Sequence, residues 1–185
     1  EELRPVRLQL ELLKAELIQQ EQGVESTVVV FGSARFKAPD VAAAMHAEAL
    51  ASGDKAALRK AEAMVRNAHW YSEAQRFADL VTREADALGE PVIVATGGGP
   101  GIMEAGNRGA FEAGGRSMGM SIFLPFEEAP NPYITPELCF QFHYFAIRKM
   151  HFLMRARALV SFPGGLGTLD ELFEVLTLTQ TRKIR

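Results

Sequence analysis

Two short apolar segments that end in glycine-containing turns constrain the fold of this chain more than any other feature. Ser26–Phe31 (S-T-V-V-V-F) is followed by a glycine, and Pro91–Thr96 (P-V-I-V-A-T) leads into residues 97–101, G-G-G-P-G. Continuous runs of β-branched and other apolar residues are typical of strands buried on both faces. We predict that Ser117–Ile122 and Ala158–Phe162 are further strands of the same sheet.

Segments with helical patterns separate these strands. We predict helices at 3–22, at 41–69 with a break at Gly53-Asp54, from a capping Ser72 to Leu88, from Ile102 to Ala113, from Phe145 to Arg155, and from Thr168 to Thr181. Short buried strands that alternate with helices indicate a parallel sheet with both faces covered. The predicted fold class is therefore α/β: a Rossmann-like, doubly wound parallel sheet with helices on both faces, plus an N-terminal helix.

Length and composition exclude several classes of protein. A chain of 185 residues suits one domain, which we place at 23–185 behind a helix at 1–22. With 48% hydrophobic and 23% charged residues it is far from the disordered class, and its net charge of −3 gives no electrostatic reason to bind nucleic acid or a membrane. The single cysteine, Cys139, rules out an internal disulfide and a cysteine-based zinc site. We expect a soluble, cytoplasmic protein.

The two ends of the sequence carry expectations of their own. In the N-terminal helix, apolar residues recur every three or four positions: Leu3, Val6, Leu10, Leu13 and Leu17. This pattern fits a helix packed on its own domain, and it equally fits a contact with another subunit or partner. A helix that finishes at Arg185 would normally return to a further strand, so we expect the C-terminal end to be incomplete.

Two glycine-rich turns between a strand and a helix predict a site for a phosphate ligand. Residues 97–101 precede one helix, and residues 163–168 (P-G-G-L-G-T) precede another. Glycine lets the backbone approach an anion, and a helix N-terminus offers free N–H groups. The spacing of 97–101 does not fit a dinucleotide fingerprint, and Thr168 follows Gly167 without the lysine of a P-loop. NAD binding and ATP hydrolysis are both disfavoured.

Charged residues flank the second turn. Asp170 and Glu171 are predicted in the first turn of the following helix, where acids also occur simply because they favour the helix dipole. Two carboxylates beside a phosphate would repel it unless they address another part of the ligand, such as a sugar hydroxyl or a positive charge developing on a sugar ring. Arg148-Lys149, on the preceding helix, would bring positive charge to the same edge.

These residues resemble the motifs of a known family. Residues 163–171 read P-G-G-x-G-T-x-x-E, and with Arg148-Lys149 and the segment 97–103 they resemble the LOG family of nucleoside 5′-monophosphate phosphoribohydrolases, long described as lysine decarboxylases. The resemblance covers about residues 26–181. Phe152 stands where the family often has the methionine of R-K-x-x-M, and residues 32–35 (G-S-A-R) replace a common Cys-Gly-Ser-Ser.

The resemblance implies hydrolysis of the N-glycosidic bond of a purine nucleoside 5′-monophosphate, AMP or an N6-substituted AMP, to the free base and ribose 5-phosphate. Arg148 and Glu171 would be catalytic, Glu171 stabilising positive charge on the ribose. The implied substrate-binding residues are Gly98, Gly99, Gly101, Lys149, Gly164, Gly165, Gly167, Thr168, Asp170 and Thr177. No metal or organic cofactor would be required, and the protein would be a homodimer.

Other interpretations remain open at this point. The chain could bind a nucleotide or a molybdenum cofactor without hydrolysing it, as carriers of the same superfamily do. Lys149 could equally be a solvated helix residue, and no second feature signals a Schiff-base lysine. The aromatic residues Phe140, Phe142, Tyr144 and Phe145 could stack on a base but fit a core better, and His143 and His151 are interpreted as structural.

Overall fold

The computed structural model describes residues 2–123 and 129–184, which form a parallel sheet with helices on both faces. The elements in chain order are α1 (Arg4–Glu21), β1 (Ser26–Phe31), α2 (Pro39–Ser52), α3 (Lys55–Leu88), β2 (Val92–Thr96), α4 (Ile102–Glu112), β3 (Ser117–Ile122), β4 (Cys139–Phe142), α5 (Phe145–Met154), β5 (Ala156–Ser161) and α6 (Leu166–Gln180). The predicted α/β class is confirmed. None of the helices in the described ranges is long and apolar enough to cross a membrane.

The order of the strands creates a switch point beside β1. The sheet runs β4-β3-β2-β1-β5, and every pairing is parallel. The chain therefore moves outward from β1 to β4 and then returns to the other side of β1 to form β5. In open α/β sheets, ligands bind outside the carboxyl ends of the strands near such a reversal. The turns that follow β1, β2 and β5 lie at this edge.

The core has two layers because successive side chains of a strand point to opposite faces. In β1, Val29 and Phe31 join an apolar cluster with α1 and α5, whereas Val30 joins a cluster with α3 and α4. All six residues of β1 are buried. This explains why a continuous apolar run, and not an alternating pattern, marks the central strand.

One predicted helix boundary is wrong. Ser72 does not cap a helix, because α3 continues through it without interruption from Lys55 to Leu88. The buried residues of α3 recur at helical spacing on both sides of Ser72: Ala61, Ala68, Tyr71, Ala74 and Ala78. One packed face therefore carries the helix past this serine. The predicted break before α3 is confirmed, with Gly53 left-handed at φ 70° and Asp54 accepting a hydrogen bond from the Ala56 amide.

Helix α1 packs on the domain, but not through the apolar stripe that the sequence pattern identifies. Leu8, Leu12, Ala15 and Ile18 lie against the cluster formed with α5. Leu3, Val6, Leu10, Leu13 and Leu17 are exposed instead. The helix thus carries two apolar stripes, and its own domain covers only one of them.

Candidate active site

Three turns meet at the carboxyl edge of the sheet through backbone hydrogen bonds. The Ser33 amide, in the turn after β1, donates to the Pro163 carbonyl after β5 at 3.1 Å. The Ile102 amide, at the start of α4, donates to the Ser33 carbonyl at 3.1 Å. The structure therefore brings the two predicted glycine turns to one place, with the turn after β1 between them.

The first glycine turn depends on glycine at two positions for conformational reasons. Gly98 and Gly101 have φ values of 76° and 73°, in the left-handed region that favours glycine. A side chain at Gly101 would also collide with the backbone of Ser33 and Ala34. Glycine at 101 is therefore required by the fold itself, whatever the turn binds.

A buried amide network holds this turn, and the sequence interpretation missed it. The side-chain amide of Asn131 donates to the carbonyls of Gly98 and Gly99 and to Oδ1 of Asn107, at 3.0, 3.1 and 3.0 Å. Thr96 donates to the same Asn107 oxygen at 2.6 Å and accepts a bond from the Gly98 amide at 2.9 Å. The Gly98 N–H, predicted as a ligand donor, is thus already used. Asn107 could have been predicted as part of such a network, because it is a polar residue on the face of α4 that packs on the sheet. Nothing in the sequence around Asn131 indicates its role.

The second glycine turn is shorter than predicted. Helix α6 begins at Leu166, so Gly167 and Thr168 lie in its first turn and the acids Asp170 and Glu171 lie in its second. The predicted first-turn position of the acids is wrong because Gly165, in extended conformation, already caps the helix. Positions 165 and 167 face open space. The N–H groups of the first turn have no partner inside a helix, so they are available at this open surface.

Thr168 and Gly164 form the inner side of this turn. Thr168 is buried, and its hydroxyl lies where a side chain at Gly164 would have to stand. Gly164 is therefore required for close packing of the turn on its own helix.

Arg148 and Glu171, the two predicted catalytic residues, form a buried ion pair. Nη2 of Arg148 lies 2.7 Å from Oε1 of Glu171, and the two side chains are only 13% and 11% exposed. The guanidinium stands 5.6 and 5.4 Å from the ring centres of Phe145 and Phe152. Phe152, the departure from the family motif, thus gives one wall of the arginine site. A Cβ built on Gly97 would lie 3.7 Å from Nη1 of Arg148, which places the pair beside the first glycine turn.

Burial dominates the electrostatics of Glu171. It raises the pKa of this carboxyl to about 7, although the positive charges of Arg148 and Lys149 lower it. Nε of Arg148 is also buried, without a hydrogen-bond partner among the described residues. The Glu171 carboxyl can therefore gain or lose a proton near neutral pH. The Nε–H group of Arg148 is a hydrogen-bond donor that no described residue uses.

Three residues predicted to bind substrate, Lys149, Asp170 and Thr177, have partners within the chain. Lys149 binds the carboxylates of Asp170 and Glu174 at 2.6 and 3.0 Å. Burial opposes the charge on Lys149, but the hydrogen bonds to these acids prevail and raise its pKa. Thr177 is exposed farther along α6 and donates to the Phe173 carbonyl. Within residues 2–123 and 129–184, no group of three or more His, Cys, Asp or Glu side chains is arranged to hold a metal ion.

The comparisons with known proteins give one family match. None of the curated proteins matches this chain. Among solved structures, the X-ray structure of TM1055, a structural genomics target, is 26% identical with a TM-score of 0.47; the match covers 80% of this chain and 66% of that one. The model of a family described as possible lysine decarboxylase matches residues 103–185, which include Arg148, Glu171 and the second glycine turn. Over these residues the chain is similar to that family, and its motifs resemble those of the LOG family, to which the older description refers.

Proposed function

We propose that this protein hydrolyses the N-glycosidic bond of purine nucleoside 5′-monophosphates, AMP or N6-substituted AMP, to the free base and ribose 5-phosphate. The observation that carries the proposal is the buried Arg148–Glu171 pair at the edge where the glycine turns meet. The match of residues 103–185 to the family model supports nucleotide chemistry in general. The specific reaction rests on the residues around this pair.

The reaction needs a negative charge beside the ribose. When the bond from C1′ to the base nitrogen breaks, positive charge develops on the ribose ring, and a fixed carboxylate stabilises it. Ionised Glu171 supplies that charge and can accept a proton from the attacking water, whose oxygen bonds to C1′. The leaving nitrogen of the base takes up a proton. Arg148 keeps Glu171 in position and offers its guanidinium to the ribose phosphate or the departing base.

The N-terminus of α6 is the best candidate for the phosphate subsite. Its first-turn N–H groups have no helical partner, and the positive end of the helix dipole favours an anion there. Gly165 and Gly167 leave the approach open, and the hydroxyl of Thr168 stands just inside. Glu171 follows Thr168 by about one helical turn, so we assign it to the sugar of the same ligand.

The older description of the family as lysine decarboxylases does not fit these residues. Decarboxylation on pyridoxal phosphate requires a lysine that can become neutral and form a Schiff base. Lys149, beside the site, is held by two carboxylates that favour its charged form. We therefore propose no decarboxylase activity.

The direct test is release of base from a panel of purine nucleoside monophosphates, with Glu171→Gln as the variant. We expect the wild type to release base and the variant to lose at least about 100-fold in rate, the loss typical of removing an electrostatic stabiliser. Glu174→Gln is the matched control, because Glu174 lies one turn away and its ion pair is with Lys149. It should keep nearly full activity.

Two outcomes would contradict the proposal, one by rejecting hydrolysis and the other by rejecting the role of Glu171. If no monophosphate releases base, calorimetry followed by chromatography of the recovered ligand decides whether the protein binds nucleotides intact, as a carrier would. If base is released but Glu171→Gln is as active as Glu174→Gln, the assigned role of Glu171 is wrong.

A further inference from the structure

A cavity of about 260 Å³ lies at the amino edge of the sheet, opposite the edge that carries the glycine turns. We call it the amino-edge cavity. Its walls come from the turns before β1 and β3, the last turns of α3 and the start of β2, and its lining includes Val24, Asp86, Ile93 and Arg116. Pockets for drug-sized ligands have volumes of about 300–1,000 Å³, so this cavity suits a smaller molecule.

The amino-edge cavity is separate from the candidate active site. The strands are parallel, so the residues that precede β1, β2 and β3 lie at one edge of the sheet and the glycine turns lie at the other. The five residues of β2 span about 16 Å at a rise of roughly 3.3 Å per residue. A small ligand in the cavity therefore does not reach Glu171, and the present inference is independent of the proposed reaction.

Two opposite charges line the cavity without pairing with each other. Arg116 donates from Nη1 to the Gln22 carbonyl at 2.8 Å, and it makes no ion pair with a described residue. The Asp86 carboxylate has neither an ion pair nor a hydrogen bond within residues 2–123 and 129–184. Glu90, the other acid of the lining, is already paired with Arg157 at 2.8 Å. The cavity thus offers one cation and one anion that the described part of the fold leaves unpaired.

The surroundings of these two groups assign them to different parts of a ligand. Arg116 extends across the start of β2 to reach Gln22, because β2 lies between β3 and β1. This bond uses Nη1, and it leaves Nε and Nη2 for a carboxylate, which arginine binds through two parallel hydrogen bonds. Asp86 lies in the last turn of α3, where the negative end of the helix dipole has no basic residue and favours a cation.

We propose that the amino-edge cavity binds a free α-amino acid with an aliphatic side chain. The carboxylate of the ligand binds Arg116, and its ammonium group binds Asp86. Its side chain packs on the apolar part of the lining, which includes Val24, Ala85 and Ile93. A zwitterion pairs both charges at once, whereas a simple anion or cation would leave one charge unpaired and meet it as a like charge.

Calorimetric titration of the full chain with L-leucine, L-isoleucine and L-valine tests the proposal. We expect at least one of them to bind. The corresponding amine and carboxylic acid, isopentylamine and isocaproate for L-leucine, each lack one of the two charges. We expect them to bind at least about 10-fold more weakly, because each loses a charge-assisted hydrogen bond.

Variants of the two charged residues test the assignment of each group. Asp86→Asn and Arg116→Gln should each weaken binding of the amino acid at least about 10-fold. Asp86 has no partner to lose among the described residues, so its variant tests the site even if loss of the bond to Gln22 destabilises Arg116→Gln. Glu84→Gln and Arg76→Gln, at exposed charges of α3 outside the cavity, are the matched controls and should bind as the wild type does.

NMR spectra of the labelled protein locate the ligand. The amide signals of Gly23 and Gly115, which line the cavity, should shift on addition of the amino acid, and those of Gly99 and Gly165 should not. Failure of all three amino acids to bind, or an affinity that both charge variants leave unchanged, would overturn the proposal. Shifts confined to Gly99 and Gly165 would also overturn it, by placing the ligand at the other edge. An amine or acid that binds as tightly as the amino acid would overturn the two-charge recognition.

Discussion

Glu171 is the residue whose surroundings most affect the proposed chemistry, because burial raises its pKa to about 7. Charge stabilisation and proton acceptance both require the ionised form, which prevails above that pH. We therefore expect the rate of base release to increase as the pH rises through about 7 and to level off above it. The measurement is kcat against pH with saturating AMP.

The substrate itself titrates close to this range, so a control is necessary. The second pKa of a phosphate monoester is about 6. The residual activity of Glu171→Gln should lose the step near pH 7 and keep only effects of the substrate. A step that persists unchanged in this variant would assign it to another group.

A candidate site residue could be predicted from the sequence only when its neighbours in the sequence form a recognisable motif. Arg148 and Glu171 were identified because each belongs to a short motif, and the structure joins them at 2.7 Å. Asn131 was missed because its partners, Gly98 and Asn107, are distant in sequence and nothing beside Asn131 indicates them. Lys149 and Asp170 belong to the same motifs, and the structure pairs them with each other at 2.6 Å, which neither motif indicates by itself.

At the scale of elements, the two glycine turns have opposite requirements. Gly101 has φ 73° and the backbone of Ser33 and Ala34 where a side chain would stand, whereas Gly165 has φ −92° and open space around it. Gly101→Ala should therefore lower the free energy of unfolding by at least about 1–3 kcal/mol, and Gly165→Ala should change it by less than about 0.5 kcal/mol. Urea unfolding of both variants measures this difference.

The same pair separates a structural glycine from a ligand-binding one. If Gly165 keeps the approach to α6 open for a phosphate, Gly165→Ala should weaken nucleotide binding in calorimetry while stability is unchanged. Equal stability losses in the two variants would contradict the assignment of Gly101 to the fold and Gly165 to the ligand.

Strands β1, β2, β3 and β5 were predictable to within one or two residues because buried apolar runs are local signals: β1 and β3 have the bounds that the sequence predicts. Strand β4 was not predicted, because its four residues are alternately exposed and buried. The ends of helices, and the faces that they bury, were harder to predict from the sequence. Helix α6 starts two residues early because glycines at 165 and 167, which favour a loop locally, are accommodated at a helix start. In α1, two apolar stripes coexist, and only the distant residues His151 and Arg155 decide which one is buried.

At the scale of the whole molecule, α1 is fastened to α5 through His151, which is buried and neutral. Burial lowers the pKa of His151 below its ordinary value of 6.5, although the Leu12 carbonyl and Glu16 raise it. Protonation would remove the acceptor that faces Gln19. The unfolded chain then binds more protons than the folded one, so this contribution is present above pH 6.5 and is lost as the pH falls below it.

We expect the free energy of unfolding in urea to decrease from pH 7.5 to about 5.5, with α1 detaching first in hydrogen exchange. Glu171 acts in the opposite direction over the same range, because its raised pKa favours proton uptake by the folded state. The measurement therefore belongs in the Glu171→Gln background. The hydrogen bond from Arg155 lowers the pKa of Glu16, so its stabilising contribution is fully present above its ordinary pKa of 4.5 and does not change over this range. His151→Gln should remove most of the slope, whereas His69→Gln, at an exposed histidine of α3, should leave it; equal slopes in both would refute the role of His151.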